Sequence, residues 1–348
     1  MSATAAPVLV TGAAGYVASW IVRRLLEQGY RVHGTVRDPA KPRGLEHLHR
    51  LAEQYPGQLT LFAADLLQPG SFAAAMQGCE VVMHTASPFI TSGFTDAEAA
   101  LVRPAVEGTR NVLETCNTVA SVRRVVLTSS VVAIYGDNAD AGGRVLTEAD
   151  WNTSSSLHHQ PYPYSKVCAE REAWKIHDAQ TRWRLVTINP GLVLGPALTR
   201  ASDSYSFTVI RQLVNGTMFL GAPPLDISVV DVRDVAEAHL RAAFTPAAEG
   251  RYITAAATTR FLALGRLLRK RYGSRYLFPL MEAPKPVVWL IAPLAGLTRG
   301  FVRLNVGHPL RLDNRRSREG LGLHYRSLED TVVDHFEQLL TDGVIRRR

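Results

Sequence analysis

Tyr162 and Lys166 stand four residues apart in Tyr162-Pro-Tyr-Ser-Lys166. On a helix that spacing puts the phenol and the ammonium one turn apart on one face. A neighbouring ammonium favours the charged form of a phenol, whose unperturbed pKa is about 10, so the pair reads as a pre-assembled acid. Tyr164, two residues from the lysine, points to another face, and Tyr135 lies on a separate segment. Lysines are scarce, the others being Lys41, Lys175, Lys270 and Lys285. Alone, the spacing has a bland alternative, a surface aromatic beside a solvated lysine, so the elements that carry it must decide.

Those elements alternate. Apolar strand-like runs at 7–11, 30–36, 58–63, 80–84, 123–129 and 184–188 are separated by amphipathic stretches over 15–28, 43–54, 95–120 and 162–181. Near-continuous apolar strands between helices predict a parallel sheet covered on both faces. The expected fold class is α/β, a Rossmann-type doubly wound parallel sheet over 1–190 that carries the acid pair. A smaller mixed C-terminal lobe, 191–348, is expected mainly to bind substrate. It should contain a helix near 204–215, a strand at 226–230, a helix at 232–243 and more helices up to 342, with the stretch near 226–243 returning to the first domain. The polar stretches 137–144 and 151–159 are expected to be mobile loops.

Composition narrows the function. With 348 residues, 46% hydrophobic and 20% charged, the chain is ordinary for a globular protein and long enough to bury a large core. Cys79, Cys116 and Cys168 have an odd count and no metal-ligand spacing, which favours a reduced, cytoplasmic setting and no metal. Residues 1–6 lack the charged-then-apolar order of a signal peptide, which speaks against export. The apolar run Val287–Leu297 is too short to span a bilayer and contains Pro293 and Gly296, so it reads as a buried or pocket-covering helix and no stable membrane insertion is expected. The net charge of +8 comes with scattered arginines, clustered only at Arg315-Arg316-Ser317-Arg318 and Arg346–Arg348, and no nucleic-acid motif accompanies it.

Thr11-Gly12-Ala-Ala-Gly15-Tyr-Val-Ala18 follows the first strand and opens a helix. Glycines there let the backbone approach a pyrophosphate, whose charge is met by the helix N-terminus, while the small Ala18 allows close helix–strand packing. Gly12, Ala14, Gly15, Tyr16 and Val17 are therefore candidate nucleotide-binding residues. After the second strand, where an acid would bind the free 2′-hydroxyl of NAD, stand Arg37 and Asp38. Arg37 suits a 2′-phosphate, with Lys41 or Arg43 adding charge, which favours NADP(H); Asp38 leaves NAD open. Asp65, with Leu66 beside it, is a candidate for the adenine end.

These segments form an ordered set: Val10–Ala18, Gly34-Thr-Val-Arg-Asp-Pro39, Pro104-Ala-Val-Glu-Gly-Thr109, Val126-Leu-Thr-Ser-Ser130, Tyr162–Lys166 and Asn189-Pro-Gly-Leu-Val-Leu-Gly-Pro196. The set resembles the extended short-chain dehydrogenase/reductases, in the branch of dihydroflavonol 4-reductase, cinnamoyl-CoA reductase and the fungal and bacterial carbonyl reductases. Ile227–Ala236 and Leu312–Ser317 look like that branch too, so the match covers nearly the whole chain. The resemblance implies a catalytic set of Ser130, Tyr162 and Lys166. Strand alternation puts Thr128 and Ser130 on one face and Ser129 on the other, which agrees with Ser130. It also implies that Thr85, Ala86, Ser87 and Thr128 line the cofactor, that Pro190, Gly191 and Val193 border the nicotinamide, and that Lys166 holds the ribose. His84, at the end of a buried strand, reads as structural. The Asn that many shorter members add has no counterpart in Arg103–Gly108.

The function expected from these residues is NADPH-dependent, reversible reduction of an aldehyde or ketone, with the proton from Tyr162. Three alternatives stand beside it: a hydroxysteroid dehydrogenase, an NAD-retaining sugar epimerase or dehydratase that would want an acid at Arg37, and a non-catalytic NADP sensor. The expected partner is a small carbonyl or alcohol, apolar or aromatic. Its identity rests on positions near 88–94, 131–136 and 192–206 and on the lobe, with Phe89, Phe94, Tyr205, Phe207 and Trp289 as candidate walls. The oligomeric state is left open.

Overall fold

The computed structural model describes residues 6–41, 43–87, 96–199 and 205–346; Phe89, Phe94 and the rest of 88–94 lie outside the described residues. The strands run β1 (Val8–Thr11), β2 (Val32–Val36), β3 (Leu59–Ala63), β4 (Val81–His84), β5 (Arg124–Thr128), β6 (Arg184–Pro190), β7 (Leu192–Leu194), β8 (Asp226–Asp231), β9 (Gly250–Thr254) and β10 (Ala257–Arg260). The helices are α1 (Tyr16–Glu27), α2 (Glu46–Gln54), α3 (Ala73–Met76), α4 (Arg103–Thr118), α5 (Pro161–Asp178), α6 (Tyr205–Val214), α7 (Val232–Phe244), α8 (Phe261–Tyr272), α9 (Lys285–Ile291), α10 (Arg299–Asn305) and α11 (Leu328–Thr341).

Alternation along each strand builds the layers. Val8, Val10, Met83, Val126, Val186 and Ile188 turn to one face of the main sheet, where Trp20, Ile21 and Leu25 of α1 and Val235, Ala236 and Leu240 of α7 cover them. Leu9, Val82, Val125, Leu127 and Leu185 turn to the other, under Met76, Val112, Leu113 and Ala173 of α3, α4 and α5. Burial on both faces explains why these strands read as continuous apolar runs. The main sheet has seven strands in the order β3-β2-β1-β4-β5-β6-β9, and every neighbouring pair is parallel.

A second sheet, β10-β8-β7, is mixed, with β7 parallel and β10 antiparallel to β8. The strand expected at 226–230 therefore stands in this small sheet. It is α7 that packs beside α1, and β9, from the C-terminal half, that enters the main sheet. The lobe has its own core, in which Tyr272, Tyr276, Phe278 and Phe336 meet edge to face.

Two expectations change. The 137–144 and 151–159 stretches are not loose: Asp137, Asn138, Asn152 and Ser155 are buried, and hydrogen bonds satisfy their polar atoms. The apolar run at 287–297 is buried on one side only. Val288 and Ala292 pack on Val302 and Val306, while Leu290 is 65% and Leu294 91% exposed. Among the described residues, no helix is long and apolar enough to cross a membrane.

Candidate active site

The sheet order changes direction of progression at the β1–β4 junction, where a doubly wound sheet opens a crevice beyond the carboxyl ends of its strands. Thr11 and His84, the last residues of those two strands, are in register. Thr11 organises the crevice floor: its Oγ1 accepts the backbone N–H groups of Thr85 and Ala86, each at 3.1 Å. That hydroxyl lies 2.9 Å from Nδ1 of His84, and burial pulls the imidazole down to about 3, so His84 is neutral and structural.

The glycine turn fits a phosphate. Gly12 has φ +64°, and a Cβ there would stand 3.0 Å from the Cβ of Ala86. Gly15 is the N-cap of α1, so no capping side chain occupies the first-turn N–H groups, and no carboxylate stands in that turn. Open donors at the positive end of a helix suit a diphosphate. Ala14 and Val17 pack partly buried against the core, and Ala18 fits inside it. The Tyr16 hydroxyl donates to Gly195 O at 2.5 Å, tying this turn to the strand end that borders the lobe.

Beyond β2, Arg37 and Lys41 are exposed. Asp38 does not pair with Arg37 but turns back to accept the Ala40 N–H at 3.0 Å. The guanidinium is thus available to a 2′-phosphate. Asp65 is exposed and accepts the Leu67 N–H at 2.8 Å, while Leu66 packs against Gly108 of α4.

Tyr162 occupies the first turn of α5, directly after Pro161 at N1, where a missing N–H costs nothing. Lys166 follows one turn on, with Nζ 5.7 Å from the Tyr162 ring centroid, and donates to Ser87 Oγ at 2.9 Å. This bond joins α5 to the loop after β4. Ser130 ends the β5 segment as N-cap of a short 3-10 turn, Val131–Ala133. Its Oγ accepts Val132 N–H at 3.3 Å and lies 3.5 Å from Pro190 O, so the hydroxyl is only weakly held. Pro190 ends β6 and Gly191 follows it, the Gly191 N–H donating to Thr254 O at 3.1 Å.

Electrostatics differ from the expectation drawn from spacing. Burial, not the ammonium, dominates the phenol and raises the Tyr162 pKa above its usual value near 10. The same burial lowers Lys166 to about 8. At neutral pH the tyrosine is a neutral proton donor, and the lysine keeps its charge by a narrow margin.

A buried polar cluster that no local motif marks lies behind the site. Glu170, one turn beyond Lys166, is buried and accepts from Ser129 Oγ, Asn189 Nδ2 (2.8 Å), Thr187 Oγ1 (3.2 Å) and Arg251 Nε (2.7 Å). Asn189 also donates to Ser130 O at 3.1 Å, so the carboxylate bridges α5 to the serine turn. Arg251 donates onward to the Glu148 and Asp150 carbonyls and stacks 3.9 Å from the Trp151 ring centroid. The spacing Tyr162, Lys166, Glu170 could have flagged the carboxylate; nothing local could have flagged Arg251.

Other expected residues fall away from this cluster. The Thr128 hydroxyl is taken by His239 Nε2 at 2.7 Å, on the α7 side. Val193 lies in the small sheet opposite Val230, Phe207 is buried between Tyr16 and His335, and Trp289 stacks under Arg299 at 4.2 Å. Tyr205 is exposed.

The chain belongs to the NAD dependent epimerase/dehydratase family, whose model matches residues 8–254, and within it to the extended short-chain dehydrogenase/reductases. It is 36% identical to a cinnamoyl-CoA reductase of Medicago truncatula over 335 residues, covering 95% of each chain. To tetraketide alpha-pyrone reductase 1 of Arabidopsis thaliana it is 35% identical, covering 97% and 96%. Yeast methylglyoxal/isovaleraldehyde reductase Gre2, solved in complex with NADPH, superposes with a TM-score of 0.78 at 27% identity, covering 97% of this chain and all of that one.

Proposed function

We propose that this chain reduces an aldehyde or ketone to the alcohol, reversibly, with Ser130, Tyr162 and Lys166 as its catalytic set. It is an NADP(H)-dependent oxidoreductase. The carrying observation is the phenol of Tyr162, with Lys166 one turn on and bonded to Ser87, at the carboxyl ends of the central strands where the glycine turn opens.

NADPH, when bound, would supply hydride from nicotinamide C4 to the carbonyl carbon. The weakly held Ser130 hydroxyl donates a hydrogen bond to the carbonyl oxygen, and the neutral Tyr162 phenol gives that oxygen its proton. A phenol above its usual pKa is fully protonated at pH 7, and the alkoxide it must neutralise is a far stronger base. Lys166 binds the nicotinamide ribose and offers the phenolate a cation once the proton has left. Gly12, Gly15 and the α1 N-terminus hold the diphosphate, with Arg37 and Lys41 on the 2′-phosphate. Thr85, Ala86 and Ser87 run along the ribose side. Residues 1–190 are assigned to cofactor and chemistry, and most of 191–348 to a small apolar or aromatic carbonyl compound.

NADPH oxidation followed over aromatic aldehydes, diketones, ketoesters and flavanonols, with Tyr162→Phe as control, tests this. The variant should lose about 100-fold or more in kcat. Full activity in Tyr162→Phe would remove the phenol from the mechanism.

A further inference from the structure

Among the described residues, Gln160 is the one non-glycine residue with positive φ (φ 55°, ψ 61°), and it is the N-cap of the helix that carries Tyr162. A residue with a side chain persists in that conformation only where its surroundings hold it. Here the hold is specific. Gln160 Nε2 donates to Asp137 Oδ1 at 2.6 Å and to Gly136 O at 2.8 Å, while Gln160 O accepts the first helical bond of α5, from Tyr164 N at 3.1 Å.

Asp137 is 1% exposed and gathers more than this one amide. Its Oδ1 also accepts Asn305 Nδ2 at 2.5 Å, and its Oδ2 lies 2.6 Å from His159 Nε2. Asn305 ends α10 and returns an acceptor to Asn138 N at 3.0 Å. Gly136 is seated with no room for a side chain, since a Cβ would lie 2.2 Å from Ser154 Oγ and 2.7 Å from Asn152 Oδ1. One buried carboxylate therefore gathers three segments: the loop that follows the Ser130 turn, the loop that feeds Tyr162, and a helix of the C-terminal lobe.

We propose that Asp137 is a positioning residue: by holding Gln160 left-handed it sets where α5 begins and where the Tyr162 phenol stands relative to Ser130. Through Asn305 it makes that placement depend on the seating of α10. The inference rests on Tyr162 being the proton donor, but its structural half does not.

The test uses Gln160→Gly, which removes the amide tether yet has no Cβ to resist positive φ, beside Gln160→Ala, which removes the tether and keeps the Cβ. In Gln160→Gly the melting temperature and NADPH affinity should stay near wild type. Its kcat should fall at least roughly tenfold with KM little changed, as a misplaced acid predicts. Gln160→Ala should lose stability as well. Asn305→Ala, outside the site, should lower kcat in the same manner, and hydrogen–deuterium exchange over 160–166 should rise in both Gln160→Gly and Asn305→Ala. Unchanged exchange there, or a lower melting temperature with kcat intact in Gln160→Gly, overturns the proposal. If the wild-type protein reduces no carbonyl at all, the reduction reading fails and exchange alone decides: a rise supports the clasp, no change overturns it.

Discussion

Replacing Lys166 by methionine should abolish activity and stabilise the fold. Lys166 is 9% exposed, and burial pulls its pKa from 10.5 to about 8. At about 1.4 kcal/mol per pH unit, holding the charge in the folded protein at pH 7 costs about 3 kcal/mol relative to an uncharged side chain. Methionine fills a similar volume but forfeits the donation to Ser87, worth about 1 kcal/mol, so the net gain is about 2 kcal/mol. In a protein of 348 residues that is a rise of roughly 3 °C in melting temperature. The pH dependence is the stronger check. Between pH 8 and 10.5 the unfolded chain still binds the proton and the folded one does not, so wild-type stability rises with pH in that window. The advantage of Lys166→Met should be full below pH 8 and gone by about 10.5. Thermal unfolding followed by circular dichroism from pH 6.5 to 10.5 measures it. A variant no more stable at pH 7, or a gain that does not shrink with rising pH, would refute a desolvated ammonium.

Arg37→Ala should cut the preference for NADPH over NADH by about 10- to 100-fold, the worth of a charge-assisted contact to phosphate, with NADH kinetics little changed. Steady-state rates with both cofactors decide, and an unchanged preference would remove Arg37 from the 2′-phosphate. Glu170→Ala should destabilise by about 3–5 kcal/mol, because it strands the buried guanidinium of Arg251 along with Ser129 and Asn189. Urea unfolding measures the loss, and a change under about 1 kcal/mol would show that the ion pair is not holding the site together.

What was legible in the sequence depended on range. β1 through β6, α1, α2 and α4 through α7 announced themselves, because a strand buried on both faces is apolar throughout and a helix on the sheet is apolar on one stripe. The glycine turn, Arg37, Ser130, Tyr162 and Lys166 could be named because each belongs to a short local pattern. β9 was missed although it completes the main sheet: Gly250-Arg-Tyr-Ile-Thr254 carries an arginine that turns inward to Glu170, which breaks the apolar pattern of a central strand. The contact of Thr128 with His239 was equally out of reach, since the two lie 111 positions apart.

The phenol pKa was read in the wrong direction because spacing reveals neighbours but not burial. A lysine one turn away lowers a phenol's pKa only if the charge interaction outweighs the loss of water around both groups, and here desolvation moves each group towards its neutral form. The polar loops misled in a parallel way. Asp, Asn and Ser in 137–144 and 151–159 look solvated when counted, yet Asp137 is buried and takes donors from residues up to 168 positions away. A buried carboxylate without donors would be costly, so its persistence requires the three segments to arrive together. That requirement makes the start of α5, and with it the acid at Tyr162, a product of the whole fold rather than of the four-residue spacing that first marked it.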